Sequence, residues 1–296
     1  MNGSWINKAE ILSVIAKKLR TNFERWNYRE ILLPAVEEYR DELDKGTKFT
    51  DGKDYYVIKP DITSQLLTRL TGDGRHKLFY ISEVLDGNPT GDWQFGAEYI
   101  GGNDRWMVVE IISTIITALE SLGITEFYVD VGSKKVWERA IEGFEDIREE
   151  IFDAIHHRSF DLIDELDLPR EEEEEVWGLF NYRSRRCDYE RLNEILETID
   201  DDRVVADFGT VRGMSYYEDL TFEIYSPEVG SPLGGGGEYK FRNRDAFGFA
   251  FHLDKLLEIF SDPSGEERLT LNGTSPETLK RAMTLVREGQ GVEIKS

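Results

Sequence analysis

The sequence predicts an α+β domain in which an antiparallel sheet is flanked by helices and interrupted by a helical insertion. Three observations predict it. Apolar residues recur at helical spacing in long segments near the N-terminus and around residues 105–122, and they alternate in several short ones. The segments "KLFYISEVL" and "DWQFGAEYIGG" flank a Gly/Pro/Asn turn at 87–91, the usual junction of antiparallel neighbours. Between about Lys134 and Asp202 the chain becomes helical and highly charged before strand patterns return.

The elements follow in order. Residues Lys8–Trp26 place Ile11, Leu12, Ile15, Leu19 and Phe23 on one helical face. "YREILLPAVEEY" reads as a strand broken by Pro34, which lacks a ladder donor and so marks an edge or an interface. "KDYYVIKPDITSQLLTRL" reads as a strand, a turn at Pro60 and a helix capped by Asp61 or Thr63. "RWMVVEIISTIITALESLG" is a long buried helix ending at Gly123, and "EFYVDVGS" is a strand. In "PREEEEEVWGLF" the acids follow Pro169 at a helix start, where the helix dipole favours them, so a metal-binding face is not inferred. Strands resume in "VVADFGTVRGMSYYEDLTFEIY" and "EYKFRNRDAFGFAF", followed by a helix from about Leu253 to Phe260. Gly234–Gly237 read as a flexible hairpin needing positive φ, because no Lys-Ser/Thr helix follows to make a phosphate cradle. The tail from Leu269 to Lys295 reads strand–helix–strand. The expected boundaries are a core of 1–133 and 203–263, an insertion of 134–202 and a C-terminal piece of 264–296.

Composition narrows the partners. The 296 residues carry 36 basic and 59 acidic side chains, a net charge of −23. Such a field repels phosphate backbones and anionic membranes, so neither nucleic acid nor membrane is an expected partner. Cys187 is the single cysteine, which excludes an internal disulfide and points to a reducing compartment. His76, His156, His157 and His252 are scattered without ligand spacing, so no metal is expected. The N-terminus lacks a continuous apolar run, and no segment approaches the roughly 20 apolar residues of a membrane span. The expectation is a soluble, cytoplasmic protein without a cofactor.

Six motifs in order resemble the catalytic core of the class II histidyl-tRNA synthetases over nearly the whole chain. "YREILLPAVEE" resembles the dimer-interface motif, and "KPDIT" is similar to Arg-Pro-Glu-Gly-Thr. "LFYISEVLD…WQFGAEYIGG" resembles the two strands of motif 2. "RGMSYYEDLTFE" resembles the histidine-specific Arg-Gly-Leu-Asp-Tyr-Tyr stretch, "GGEYK" stands at Gly-Gly-Arg-Tyr-Asp, and "FGFAFHLDKL" resembles motif 3. The resemblance implies a class II synthetase-like fold in which 264–296 is a truncated remnant of the anticodon-binding domain.

It also implies a histidine site. Asp61 and Thr63 match positions that hold the α-amino group, and Arg212 matches the arginine that reaches the ligand carboxylate. Gln94 and Glu98 match Gln-x-x-x-Glu, with Gln94 serving the amino end and Glu98 meeting the imidazole. On a strand their spacing puts both on one face, roughly 13 Å apart at ~3.3 Å per residue. Tyr216 and Tyr217 point to opposite faces of a regular strand; the resemblance favours Tyr217 as the one lining the site, with Tyr239 in support.

The departures bear on activity. Asp86 stands where the family's motif 2 arginine contacts the ATP α-phosphate, and an acid there has the wrong sign. Lys255 replaces the motif 3 arginine that stacks on adenine, and it lacks a planar guanidinium. Glu238 replaces the arginine of Gly-Gly-Arg-Tyr. No catalytic residue is therefore expected. A core of this kind resembles the regulatory subunit of the short-form ATP phosphoribosyltransferase, which joins a short catalytic subunit in the first step of histidine biosynthesis. The resemblance implies histidine feedback, dimerisation through the N-terminal third and, by the family pattern, a hetero-octamer. Two alternatives stay open: an active histidyl-tRNA synthetase, disfavoured by Asp86 and Lys255, and a free-standing paralogue that binds histidine or another amino acid.

Overall fold

The structure is a computed structural model and describes residues 5–41, 43, 46–58, 61–85, 91–102, 104–143, 147–156, 161, 168–210, 217–260, 268–273 and 275–295. It divides into two compact units, Met1–Phe260 and Ser261–Ser296.

In the larger unit, helix α1 (Trp5–Arg25) turns Ile15, Leu19 and Phe23 fully inward, as its apolar spacing requires. The segment around Pro34 splits between two sheets. Strand β1 (Arg29–Glu30) joins the main sheet, whereas β2 (Val36–Glu38) joins β3 (Thr47–Thr50) and β4 (Tyr55–Ile58) in a three-stranded sheet of order β2-β4-β3. Helix α2 (Ile62–Arg69) starts at Asp61, whose carboxylate accepts the Ser64 N–H at 2.8 Å.

The main sheet has nine strands. They are β1, β5 (His76–Val84), β6 (Asp92–Ile100), β7 (Tyr128–Ser133), β8 (Arg183–Ser184), β9 (Val204–Asp207), β10 (Tyr217–Tyr225), β11 (Gly234–Phe241) and β12 (Arg244–His252). Their spatial order is β1-β5-β6-β12-β11-β10-β7-β9-β8. The central pairs are antiparallel, but β1 runs parallel to β5 and β7 parallel to β9, so the sheet is mixed. One face is covered by α1, α3 (Asp104–Ser121) and α8 (Leu253–Ile259), over a core in which Phe23 packs against Phe79, Phe95 and Phe249. The segment 134–202 contains α4 (Lys134–Ala140), α5 (Arg148–His156), α6 (Arg170–Phe180) and α7 (Glu190–Ile199). Its Trp137, Ile151, Val176, Leu192 and Ile195 are buried in that same core, and its β8 adds a short strand to a segment that the sequence predicts to be helical.

The four glycines correct an expectation. Gly234–Gly237 are buried strand residues of β11, and none has positive φ. A Cβ on Gly236 would lie 2.0 Å from the Gly248 carbonyl oxygen, and one on Gly234 would lie 2.3 Å from that of Ala250. Glycine is required there by the close approach of β12, not by a turn.

The smaller unit pairs β13 (Arg268–Asn272) in parallel with β14 (Gly291–Lys295), connected through α9 (Pro276–Arg287) with Ser275 as N-cap. Among the described residues no helix is long and apolar enough to cross a membrane.

Candidate functional site

Alternation along β6 sends Phe95, Ala97 and Tyr99 into the helix-side core and leaves Gln94, Gly96 and Glu98 on the opposite face. The ladder then sets Gly248 opposite Glu98, Gly237 opposite Gly248, and Tyr239 opposite both Ala246 and Tyr217. The floor is made of glycines, and each leaves room for a functional side chain. A Cβ on Gly248 would fall 2.0 Å from Glu98 Oε2, one on Gly96 would fall 2.3 Å from the Tyr80 hydroxyl, and one on Gly237 would fall 2.7 Å from Tyr217 Cδ1.

Glu98 is the centre of this face and only 1% exposed. The Thr63 hydroxyl donates to Oε1 at 2.6 Å, and the Tyr239 hydroxyl donates to Oε2 at 2.8 Å. Burial raises the Glu98 carboxyl to about 7; the Thr63 and Tyr239 hydrogen bonds oppose the rise and the charge of Asp61 adds to it. Tyr80 is raised well above the ordinary phenol value, first by burial and then by Glu98, Asp61 and Tyr217. A small polar ligand with a ring N–H would find here a carboxylate able to change its charge near neutrality, walled by phenols.

Of the sequence-predicted residues, Asp61, Thr63, Glu98, Tyr217 and Tyr239 come together on this face. Gln94 lies on the same face, half-buried and opposite Ser82 and His252, with Gly96 and the Tyr80 ring between it and Glu98. Arg212, Tyr216 and Asp86 lie outside the described residues. Sequence reasoning missed Tyr80; alternation in "HKLFYISEV" separates it from Phe79 and Ile81, but only the β5–β6 register sets it opposite Gly96.

Two of the residues that depart from the family pattern have partners of their own. Lys255 pairs with Glu258 at 3.1 Å. Glu238 faces the helix side, where Arg191 of α7 donates to Oε2 at 2.9 Å and to Oε1 at 2.7 Å. The same guanidinium reaches Asp219 at 2.7 Å. Asp219 is fully buried and also accepts the hydroxyls of Ser133 and Tyr189, each at 2.6 Å. Burial alone would raise Asp219, but those hydroxyls and the cations Arg191 and Lys135 outweigh it and hold the carboxyl below its ordinary value.

Among the described residues, two of the clefts lie away from Glu98. One of about 760 Å³ is lined by Lys8, Leu12, Glu83, Trp93, Asp254 and Lys255, and the other, of about 470 Å³, by Arg139, Leu179, Tyr182, Tyr189 and Phe208 among others. Neither contains a residue of the Glu98 constellation.

A family profile described as Histidyl-tRNA synthetase matches residues 6–182 and 171–256. The chain is 28% identical over 307 residues to an ATP phosphoribosyltransferase regulatory subunit of Syntrophotalea carbinolica, covering 85% of this chain and 71% of that protein. It is 24% identical over 308 residues to a histidine–tRNA ligase of Methanocaldococcus jannaschii, covering 87% and 74%. Among solved structures, an ATP phosphoribosyltransferase regulatory subunit/histidyl-tRNA synthetase of Bacillus halodurans superposes with a TM-score of 0.77 at 21% identity, over 99% of this chain and 90% of that one. A chain of the ATP phosphoribosyl transferase (HisG:HisZ) complex from Thermotoga maritima superposes with a TM-score of 0.67 at 19% identity, over 81% and 96%.

Proposed function

The chain belongs to the histidyl-tRNA synthetase family, and we propose that it works there as the regulatory, non-catalytic subunit of ATP phosphoribosyltransferase, with histidine as its ligand. The observation that supports this best is the buried Glu98 carboxylate, held by Thr63 and Tyr239 beside Tyr80 and Tyr217. In this reading Glu98 accepts an imidazole N–H, Gln94 and Asp61 face the ammonium, and Arg212 faces the carboxylate. Such charge-assisted bonds contribute roughly 1.5–3 kcal/mol each in a partly desolvated site.

The ATP-handling side fits a loss of activation chemistry. Lys255 and Glu238 stand where the family resemblance expects arginines, and both are tied up in ion pairs with their own neighbours. Neither offers a planar cationic fork to a nucleotide. The protein then acts through a short catalytic subunit, as a dimer within a cytoplasmic hetero-octamer. It completes the active transferase and carries feedback, because histidine prefers one arrangement of that assembly.

The decisive experiment is reconstitution with a short catalytic subunit and an assay with ATP and phosphoribosyl pyrophosphate, with and without histidine. Activity that needs both chains and falls with histidine supports the reading; activity indifferent to this chain sinks it. The similarity to a histidine–tRNA ligase favours a second reading, an active synthetase. Histidine-dependent pyrophosphate exchange by the pure chain would select that one.

A further inference from the structure

We propose that Arg191 is a positioning residue for the histidine site, acting through the sheet from its opposite face. The inference rests on the histidine reading above and adds a residue from α7, in the 134–202 segment, to the site's machinery.

The argument starts from a defect in the ladder. Strands β10 and β11 pair regularly from Thr221 opposite Gly237 to Ile224 opposite Gly234, but the register shifts between Tyr217 and Thr221. Over that step β10 advances four residues (217 to 221) while β11 advances two (239 to 237), so β10 bulges. Backbone groups in a bulge lose their ladder partners, and here the Leu220 N–H turns to the Glu238 carboxylate at 3.4 Å. Arg191 completes the repair. It binds Glu238 with both terminal nitrogens and Asp219, from the bulge itself, with one of them. One planar guanidinium thus ties together the two strands where their own hydrogen bonds are interrupted.

What the bulge carries on its other face gives the clamp its function. Tyr239, next to Glu238, donates its hydroxyl to Glu98, and Tyr217, two residues before Asp219, lays its ring over Gly237. Moving either strand at this point moves a wall of the site. Lys135 of α4 also faces Asp219, at 3.7 Å, but no ammonium can span two carboxylates in the fork geometry that Arg191 uses. Without the fork, Glu238 loses both guanidinium hydrogen bonds and Asp219 keeps Lys135 at 3.7 Å as its cation, so the bulge has to open to hydrate the two carboxylates. The arginine expected at position 238 by the family pattern is thereby replaced by an acid with a dedicated counter-cation on α7.

The test uses the full-length chain and calorimetric titration with L-histidine, alongside thermal melting. Arg191→Lys keeps the charge and removes the fork; it is expected to weaken histidine at least tenfold. Tyr239→Phe removes the hydroxyl on Glu98. If Arg191 acts by placing that hydroxyl, the double variant loses at least fivefold less affinity than the product of the two single losses. Should Arg191→Lys fail to fold, the paired Arg191→Gln and Glu238→Gln variant removes both charges together and enters the same cycle. A lowered melting temperature with unchanged histidine affinity, or losses that simply multiply, overturns the proposal. Absence of histidine binding by the unaltered protein overturns it together with the reading on which it rests.

Discussion

At the scale of single residues, Glu98 makes the sharpest demand, because a carboxylate with both oxygens hydrogen-bonded is nonetheless buried enough to titrate near neutrality. The folded chain holds this proton more tightly than the unfolded chain does. Its contribution to stability is therefore fully present below about pH 4.5 and declines as pH rises to about 7. A rise from 4.5 to about 7 corresponds to about 3 kcal/mol. Glu98→Gln should remove that decline, seen as a flatter dependence of urea midpoint on pH between 4.5 and 7. The same variant should weaken histidine more than it weakens amino acids of other side chains, measured by calorimetry. Gly248→Ala tests the space rather than the charge. Its methyl would overlap Glu98 Oε2, so histidine binding should be lost, with a stability cost of about 1–3 kcal/mol in chemical denaturation. Glu98, Thr63 and Tyr239 were legible in the sequence because the motif resemblance placed each of them. Tyr80 was not, because its role depends on which glycine faces it across the ladder, and register is a property of two strands. Arg191 was illegible for a related reason. Its partner Glu238 read as a lost arginine, and the cation that answers it comes from a helix 47 residues earlier in the chain.

At the scale of elements, helix α2 does two things with Asp61, capping its own N-terminus and holding a charge near Glu98. Asp61→Asn should keep the cap, so the melting temperature should hold while histidine affinity falls. Asp61→Ala should lose both, with the cap worth about 1 kcal/mol. Strand β11 makes the opposite case, an element fixed by what it lacks. Gly236→Ala would drive a methyl into the Gly248 carbonyl, and backbone cannot swing aside as a side chain does. That variant should cost roughly 2–4 kcal/mol in denaturant titrations. A run of four glycines reads naturally as a turn, since nothing local distinguishes glycine needed for φ from glycine needed for closeness. The long elements α1, α3, β5 and β6 were readable because each carries a sustained apolar pattern, at helical spacing in α1 and α3 and in two strand-length runs joined by a turn sequence in β5 and β6. Strands β3 and β8 were not; one is exposed along its whole length and the other is two residues long, so neither carries an alternation.

At the scale of the whole molecule, the proposed role requires self-association, and the N-terminal third is where the resemblance places it. Light scattering at micromolar concentration should give a dimer, and addition of a short phosphoribosyltransferase should give one larger species. A net charge of −23 opposes any association between copies, so added salt should strengthen the dimer until screening saturates.

Strand β12 lies between β6 and β11 in the sheet, yet it is the last of the nine to leave the ribosome. Its partners have been waiting: Phe95 on β6 meets Phe251 only after nearly the entire larger unit has been synthesised. Until then β6 and β11 each present an open edge, and the glycine floor of the site has no lid of backbone beside it. A released chain truncated at Phe241 thus holds the sequence of eight of the nine strands but leaves β6 and β11 each without its β12 neighbour. Contacts between such distant segments form slowly, so chaperone dependence should be concentrated in the interval before His252 emerges. Released chains truncated at Phe241 and at Phe260 should differ sharply in protease resistance, marking insertion of this one strand as the step that commits the fold.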